Sequence, residues 1–169
     1  MALNDGAALD NSGTLRFQNN NSLITSSGSG TVSNSGTLTV DANSTSTLST
    51  SSFSNSGSVS ADGELSLQGG GTHSGNFVAQ NGGVIGFDGG AHNLADGAML
   101  SGPGTFFVTG NALSVIGANS GATLAAGATL SLSDQTLGGN GVFNNAGTLN
   151  LSNATLNPTV NNSGTLNAL

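Results

Sequence analysis

The sequence has very few residues that carry a positive charge or form cross-links. Cysteine, tryptophan and tyrosine are absent from the 169 residues, and Arg16 is the only basic residue besides two histidines. Eight acidic residues bring the net charge to −7. Such a chain offers no basic surface to phosphate groups, which excludes nucleic acid as a partner. The lack of cysteine excludes disulfides and, with only two histidines, a zinc site.

Long apolar segments are missing as well. No run approaches the ~20 apolar residues of a membrane-spanning helix. Residues 1–5 have neither the basic region nor the apolar core of a signal peptide. We therefore expect no membrane insertion, and we expect any export signal to lie outside this chain.

Glycine, serine, asparagine and threonine make up more than half of the chain. A composition of this kind is common in disordered segments. However, 35% of the residues are hydrophobic, only 5% are charged, and proline occurs twice. The apolar residues also recur at regular spacings, which favours internal repetition over disorder.

One block recurs along the chain. It consists of an apolar residue, Asn, Gly and two further apolar residues, each two positions after the one before. The Asn and Gly positions of its five clear copies are Asn11, Asn34, Asn55, Asn145, Asn162, Gly13, Gly36, Gly57, Gly147 and Gly164. A weaker copy has His73 in the Asn position and Gly75 in the Gly position. The interval between Gly75 and Gly147 leaves room for three or four more units.

Alternation of apolar and polar residues predicts short β-strands with one buried face. Leu124 and Leu130 are six residues apart, so one side of a unit can be that short, and three such sides make a coil of about eighteen residues. We predict an all-β parallel β-helix (β-solenoid) of about eight coils of roughly 17–24 residues. It would form a single domain over residues 1–169, as a segment of a longer repeat protein. No segment keeps helical spacing, and the repeats lack the hairpins of a sandwich.

The Asn and Gly positions of the block have the same parity as its apolar positions, so we expect them to face inward at a corner. Equivalent positions of successive coils stack about 4.8 Å apart, which allows asparagine amides to bond to one another and glycine to bring two backbones close together. We therefore interpret the ten block residues as structural ladder residues. Nearly all phenylalanines are expected in the core, and only Phe107 is expected to point outward.

The chain has few candidates for catalysis. Asp62 and Glu64 share parity at one strand edge and could form a carboxylate pair, although two solvated turn carboxylates are the simpler interpretation. His73 and His92 are nineteen residues apart, about one coil, and could stack as metal ligands or supply a base. We interpret His73 as a corner residue and place His92 in a turn. We predict no catalytic residue, no metal and no cofactor.

Two longer stretches resemble known repeats. Residues 28–40 (GSGTVSNSGTLTV) and 139–151 (GNGVFNNAGTLNL) resemble repeats of bacterial autotransporter passengers and related two-partner-secreted adhesins, and residues 75–108 are similar to their irregular strand repeats. Such motifs also occur in phage tail fibres. The resemblance implies an exported β-solenoid that mediates adhesion, self-association or biofilm formation, and it carries no catalytic residue onto this chain.

We therefore expect a non-enzymatic rod or adhesive scaffold, located outside the cell or on its surface, whose partners are copies of itself or a cell-surface receptor or glycan. Alternatives are a filament subunit that stacks end to end by strand pairing, a phage tail-fibre segment and a carbohydrate-active β-helix. The last requires Asp62, Glu64 and a histidine to converge on one face, whereas uniform Ser, Thr and Asn rows favour a scaffold. Ice binding is a minor alternative, because Thr-x-Thr does not recur on every coil.

Overall fold

The computed structural model describes residues 1–20, 22–110 and 113–169. Within these ranges the chain forms short strands joined by turns, without a helix. Three strands complete one coil, and about eight coils follow one another along the axis. The predicted parallel β-solenoid is confirmed.

Every coil contributes three short strands. The strands of the first three coils are β1 (Ala2–Leu3), β2 (Ala8–Asn11), β3 (Thr14–Phe17), β4 (Ser22–Ser26), β5 (Thr31–Asn34), β6 (Thr37–Val40), β7 (Thr45–Ser49), β8 (Ser52–Asn55) and β9 (Ser58–Ala61). Those of the next three are β10 (Glu64–Leu67), β11 (Gly71–His73), β12 (Asn76–Ala79), β13 (Val84–Phe87), β14 (His92–Leu94), β15 (Met99–Ser101), β16 (Thr105–Val108), β17 (Leu113–Val115) and β18 (Ala122–Leu124). The remainder are β19 (Thr129–Ser133), β20 (Thr136–Leu137), β21 (Val142–Asn145), β22 (Thr148–Ser152), β23 (Thr155–Leu156), β24 (Thr159–Asn162) and β25 (Thr165–Ala168).

The strands stack into three parallel sheets, one for each side of the solenoid. Sheet A takes every third strand from β1 to β25, sheet B takes every third strand from β2 to β17, and sheet C takes every third strand from β3 to β24. On the sheet B side of the last coils, β20 pairs with β23, and a single bridge between Ser114 and Gly138 links this pair to β17. The step from coil to coil is short where Leu149 pairs with Leu166 and long where Ile24 pairs with Leu48. Both steps are within the predicted range of coil lengths.

The core is a set of apolar ladders that follow from the two-residue alternation. On sheet C, Leu38, Val59, Phe77, Leu100 and Leu124 pair in register, and all five are fully buried. Burying a side chain of this size contributes about 1.5–3 kcal/mol. The phenylalanines expected in the core are buried: Phe17, Phe53, Phe77, Phe87, Phe106 and Phe143.

The repeat blocks do not all lie at the same corner of the solenoid. Asn34 and Asn55 end strands of sheet B, just before the chain turns into sheet C, whereas Asn145 ends a strand of sheet C, before the turn into sheet A. Between Gly75 and Gly147 the chain completes three coils and then one further strand of sheet C. The gap therefore contains between three and four units, as the spacing predicted, but not a whole number of them. The block specifies a corner, and it occurs both at the corner between sheets B and C and at the corner between sheets C and A.

Candidate functional site

The first three asparagines of the block form a continuous amide ladder at the corner between sheets B and C. Asn11 Nδ2 donates to Asn34 Oδ1 (2.7 Å), and Asn34 Nδ2 donates to Asn55 Oδ1 (2.8 Å). The same Nδ2 groups also donate to the backbone oxygens of Thr37 and Ser58, each at 3.0 Å. Asn34 and Asn55 are 1% exposed, so their amides bond within the corner and do not face solvent.

A second, shorter ladder lies at the corner between sheets C and A. Asn145 Nδ2 donates to Asn162 Oδ1 (2.6 Å) and to the Thr165 backbone oxygen (2.9 Å). Asn145 Oδ1 has no hydrogen-bond partner among the described residues, because the apolar Leu124 occupies the equivalent position of the preceding coil. Asn145 is buried, whereas Asn162, on the last complete coil, is exposed.

The glycines of the block stack so closely that no side chain fits between them. A Cβ on Gly36 would lie 2.2 Å from the Gly13 backbone oxygen, and a Cβ on Gly57 would lie 2.2 Å from that of Gly36. Gly164 has the same relation to Gly147 at the other corner. Close approach of two backbones is one of the conditions under which only glycine is accepted. The role of these glycines is to allow this approach at the corner.

The carboxylates of Asp62 and Glu64 lie on an open groove of about 390 Å³ on the outside of the solenoid. The groove follows the corner between sheets C and A over three coils, and its other walls come from residues 42–45 and from Asn81, Gly82 and Val84. Asp62 and Glu64 are both exposed. Glu64 stands between Thr45 and Val84 in the outward row of sheet A. The groove is thus polar and acidic, and no basic residue lines it.

The outer face of sheet A consists largely of hydroxyl and amide side chains in rows. One row begins Thr45, Glu64, Val84 and ends with the four threonines Thr105, Thr129, Thr148 and Thr165. Glu64 and Val84 interrupt it, so Thr does not occupy this position on every coil.

Phe107 is in the neighbouring outward row of sheet A, as predicted from its parity. It pairs with Gly86 and Ser131, and it is half-buried because its ring covers Gly86. A Cβ at Gly86 would lie 2.4 Å from Phe107 Cζ. The missing side chain of one coil therefore provides the space for the aromatic ring of the next.

The two histidines lie inside the solenoid. His73 of β11 and His92 of β14 have no exposed surface, and the Nε2 atom of His73 is 3.0 Å from Nδ1 of His92. Their rings are nearly parallel, with centroids 5.3 Å apart. The placement of His92 in a turn is wrong, since it begins a strand and faces inward. Its side chain does so because the chain pairs His92 with Gly71 of the preceding coil.

The carboxylates and the imidazoles therefore lie on opposite sides of the solenoid wall. The convergence of Asp62, Glu64 and a histidine that a carbohydrate-active site requires does not occur among the described residues. In the same part of the chain, no three His, Cys, Asp or Glu residues come together to hold a metal ion. Above the groove the chain continues into β13, in which Ile85 and Phe87 are core residues.

Comparison with protein-family models, with curated proteins and with solved structures finds no match to this chain. Residues 1–20, 22–110 and 113–169 contain no helix that could span a membrane. The fold and the site geometry are therefore the basis for any functional interpretation.

The groove was not expected from the sequence, because its walls come from three corner segments that belong to successive coils. The sequence nevertheless contains one indication of the groove. Asn43 and Gly82 both have positive φ, and the sequence places a turn-forming residue at each of these corners. The contact between the histidines was easier to predict from the sequence. His73 and His92 are 19 residues apart, which is within the predicted range of coil lengths.

Proposed function

We propose that this chain is a rigid, non-enzymatic rod that serves as a structural or adhesive scaffold outside the cell. The observation that carries the proposal is the division of the side chains by the solenoid wall. The outer faces carry mainly Ser, Thr and Asn rows, while both imidazoles lie inside. A surface of this kind presents repeated weak hydrogen-bonding groups along a stiff support, and within the described residues no acid and base converge on it.

The strength of the rod comes from continuity along its axis. Each sheet is hydrogen-bonded from coil to coil, and the amide and glycine ladders join successive corners. Eight coils at about 4.8 Å each give a rod near 40 Å in length. The resemblance to passenger and adhesin repeats further supports an extracellular role, with copies of the chain or a surface glycan as partners.

Adhesion is tested with beads that carry the purified chain at controlled density. Chain-coated beads are expected to clump with one another or to attach to cells or immobilised glycans, whereas beads coated with the urea-unfolded chain are not. Equal attachment by both bead types, or none by either, would contradict an adhesive role.

Catalysis is tested with a panel of neutral and acidic polysaccharides. We expect no new reducing ends and no unsaturated products. Release of product that is abolished by Asp62→Asn or Glu64→Gln would contradict the scaffold proposal and support a carbohydrate-active groove. Negative-stain microscopy over a concentration series addresses the remaining alternative: discrete rods at all concentrations are expected, and filaments that lengthen with concentration would support a filament subunit.

A further inference from the structure

The middle of the solenoid contains a buried pair of histidines that pack mainly against aromatic and aliphatic side chains. The rings of Phe53, Phe77 and Phe87 surround His73, with centroids 5.7, 5.1 and 6.4 Å from its own. Phe87 also contacts His92 edge-on at 5.1 Å. The two imidazoles therefore lie in an apolar section of the core, on the fourth and fifth coils.

The hydrogen bonds define where the protons are. His92 Nε2 is 3.2 Å from the Leu67 backbone oxygen, which can only accept, so this nitrogen carries a proton. His92 Nδ1 is then an acceptor, and the proton of the 3.0 Å bond between the rings belongs to His73 Nε2. His73 Nδ1 is left as a bare nitrogen, with no partner among the described residues. Both rings are neutral in this arrangement.

A further proton has no favourable position in the folded pair. On His73 Nδ1 it would create a buried cation without an acceptor, which costs far more than burying the neutral ring. On His92 Nδ1 it would face the proton of His73 Nε2, and the bond between the rings would survive only if His73 moved its own proton to Nδ1, which has no acceptor among the described residues. The pair therefore binds protons more weakly when folded than when exposed to water.

The neighbouring elements supply no charge that would offset this cost. Burial is the main influence on His92 and lowers its pKa; the backbone carbonyls of Leu67 and Gly89 and the negative charge of Asp88, which follows β13, raise that pKa by less. Asp88 itself accepts hydrogen bonds from Ser66 and Thr109 on the outer face. β8 presents Phe53 and the neutral Asn55, and β12, β13 and β17 present Phe77, Phe87 and Leu113, all buried. Burial together with the adjacent ring lowers the pKa of His73 to about 3.

We propose that the His73–His92 pair is an acid-sensitive element that makes the fourth and fifth coils the first part of the solenoid to open at mildly acidic pH. An imidazole in the unfolded chain takes up a proton near pH 6.5, whereas the folded pair does not. Stability that is fully present above pH 6.5 is therefore lost as the pH falls toward the folded-state pKa. Each histidine lowers the folding equilibrium constant by up to about tenfold per pH unit in this range. The proposal does not depend on the adhesive role.

The matched variant replaces both histidines with residues that their own ladders already use. His73→Asn continues the Asn11–Asn34–Asn55 ladder, because His73 pairs with Asn55, and His92→Leu matches Leu113 on the next coil. Unfolding in urea is measured at pH 7.0 and pH 4.5 for the natural chain and for the double variant. This range lies above the usual pKa of the carboxylates, so their contribution is small and common to both chains.

Between the two pH values, the natural chain is expected to lose up to about 10⁴-fold in its folding equilibrium constant relative to the double variant. Equal pH dependence of the two chains would overturn the proposal. A second measurement needs only the natural chain, in case the variant does not fold: the histidine Cε1–H resonances are followed by NMR from pH 8 to pH 4. Constant shifts in the folded state support the proposal, and a titration near pH 6.5 for both rings overturns it.

Native-state hydrogen exchange locates the opening. After correction for the intrinsic rates, the amides of Thr72 and Asn93, in the strands that carry the histidines, are expected to lose protection on acidification to pH 4.5. The amides of Ser33 and Asn150, in the second and eighth coils, serve as controls and are expected to lose less. A uniform change along the rod would contradict a local acid-sensitive element.

Discussion

Two types of corner in the solenoid are built differently, and the difference shows where successive coils depend on each other. In the short corner, represented by Asn55–Gly57, the amides of Ser56 and Gly57 both donate to the backbone oxygen of Asn34 on the preceding coil. In the long corner, represented by Ala125–Ala128, the amide of Ala128 donates to the oxygen of Ala125 within the same turn. The short corner is thus completed by its neighbour, whereas the long corner is closed by its own hydrogen bond.

Glycine has a different task in each type of corner. Gly57 of the short corner is needed for space, because a Cβ would lie 2.2 Å from the Gly36 oxygen and 2.6 Å from the Ser35 carbonyl carbon. Gly127 of the long corner has open space around it but a φ of +87°. In other long corners the third residue, which is Asn43 or Gly82, also has a positive φ. Short corners are therefore sensitive to side-chain volume, and long corners to backbone conformation.

The largest effect is expected from Gly57→Ala. The added methyl group must push apart two coils whose backbones are in contact, which costs about 3 kcal/mol or more. The measurement is the free energy of unfolding from urea denaturation monitored by circular dichroism. Ser56→Ala, at the exposed neighbouring position, is the control and should change stability by less than about 0.5 kcal/mol. A Gly57→Ala chain as stable as this control would show that the short corner yields easily.

A smaller loss is expected from Asn34→Ala, which interrupts the amide ladder. It removes the donor to Asn55 Oδ1 and to the Ser58 oxygen, as well as the acceptor of Asn11. Buried polar groups that lose their partners cost about 2–3 kcal/mol in total.

The control for the ladder is Asn144→Ala on the outer face of sheet C. Asn144 also makes two side-chain hydrogen bonds, to the Ser120 oxygen and from Asn161, but water can replace them there, so the loss should stay below about 1 kcal/mol. Equal losses for the two variants would show that the ladder contributes no more than an ordinary surface amide pair.

Gly127→Ala is expected to cost about 1 kcal/mol, because alanine must adopt the left-handed conformation while meeting no steric contact. Gly127→Asn tests whether the backbone conformation causes this loss. Asparagine tolerates positive φ, and Asn43 already occupies the corresponding position of another long corner. The thermal midpoint of Gly127→Asn should fall between those of the natural chain and Gly127→Ala. A larger loss for Asn than for Ala would mean that volume, and not φ, limits the long corner.

The smallest effect is expected at the long corner Ala95–Ala98, where a side chain forms hydrogen bonds to the next coil. Asp96 Oδ1 accepts hydrogen bonds from the amides of Gly121 (2.7 Å) and Asn119 (3.0 Å). The Gly121 amide is the main cause that holds the pKa of the Asp96 carboxyl below its usual value. The stability from this contact is present above the ordinary pKa of 3.8 and is lost as the pH falls through the lower folded-state value.

Carboxyl NMR titration of the folded chain checks this expectation, with the resonances of the natural chain assigned by comparison with Asp96→Asn. Asp96 is expected to titrate at lower pH than a free aspartate. A midpoint at or above the ordinary value would show that the Asp96 bonds do not persist in solution.

Much of the architecture could be predicted because it depends on local alternation. Leu38 and Val40, or Phe143 and Asn145, have inward parity in whichever sheet their strands lie. The buried residues could therefore be predicted without knowing to which sheet each strand belongs. The corner at which a block lies could not be predicted in this way. The block around Asn145 has the same spacing as that around Asn34. The lengths of the intervening coils alone place the first at the end of a sheet C strand and the second at the end of a sheet B strand.

The candidate site was less predictable than the fold. Parity alone indicates that Asp62 and Glu64 can form a pair, but their groove is completed by Asn43 and Asn81 from neighbouring coils. The position of His92 depended on its register against Gly71, which a glycine-rich segment does not reveal. In both cases the missing information was the alignment of one coil on the next.

Several features of this protein can be read from its amino acids alone: the parallel strands, the inward and outward parity of each residue, the approximate length of a coil, and the glycine and asparagine positions that make corners possible. These follow from local chemistry: the two-residue period of a strand, the missing Cβ of glycine and the two-sided hydrogen bonding of an amide. Other features depend on how the coils stack: which corner each block occupies, which carboxylates share a groove, and the contact between two imidazoles in the core. These are contacts between coils, and their registers are set by the whole stack, because each coil packs on the coil before it.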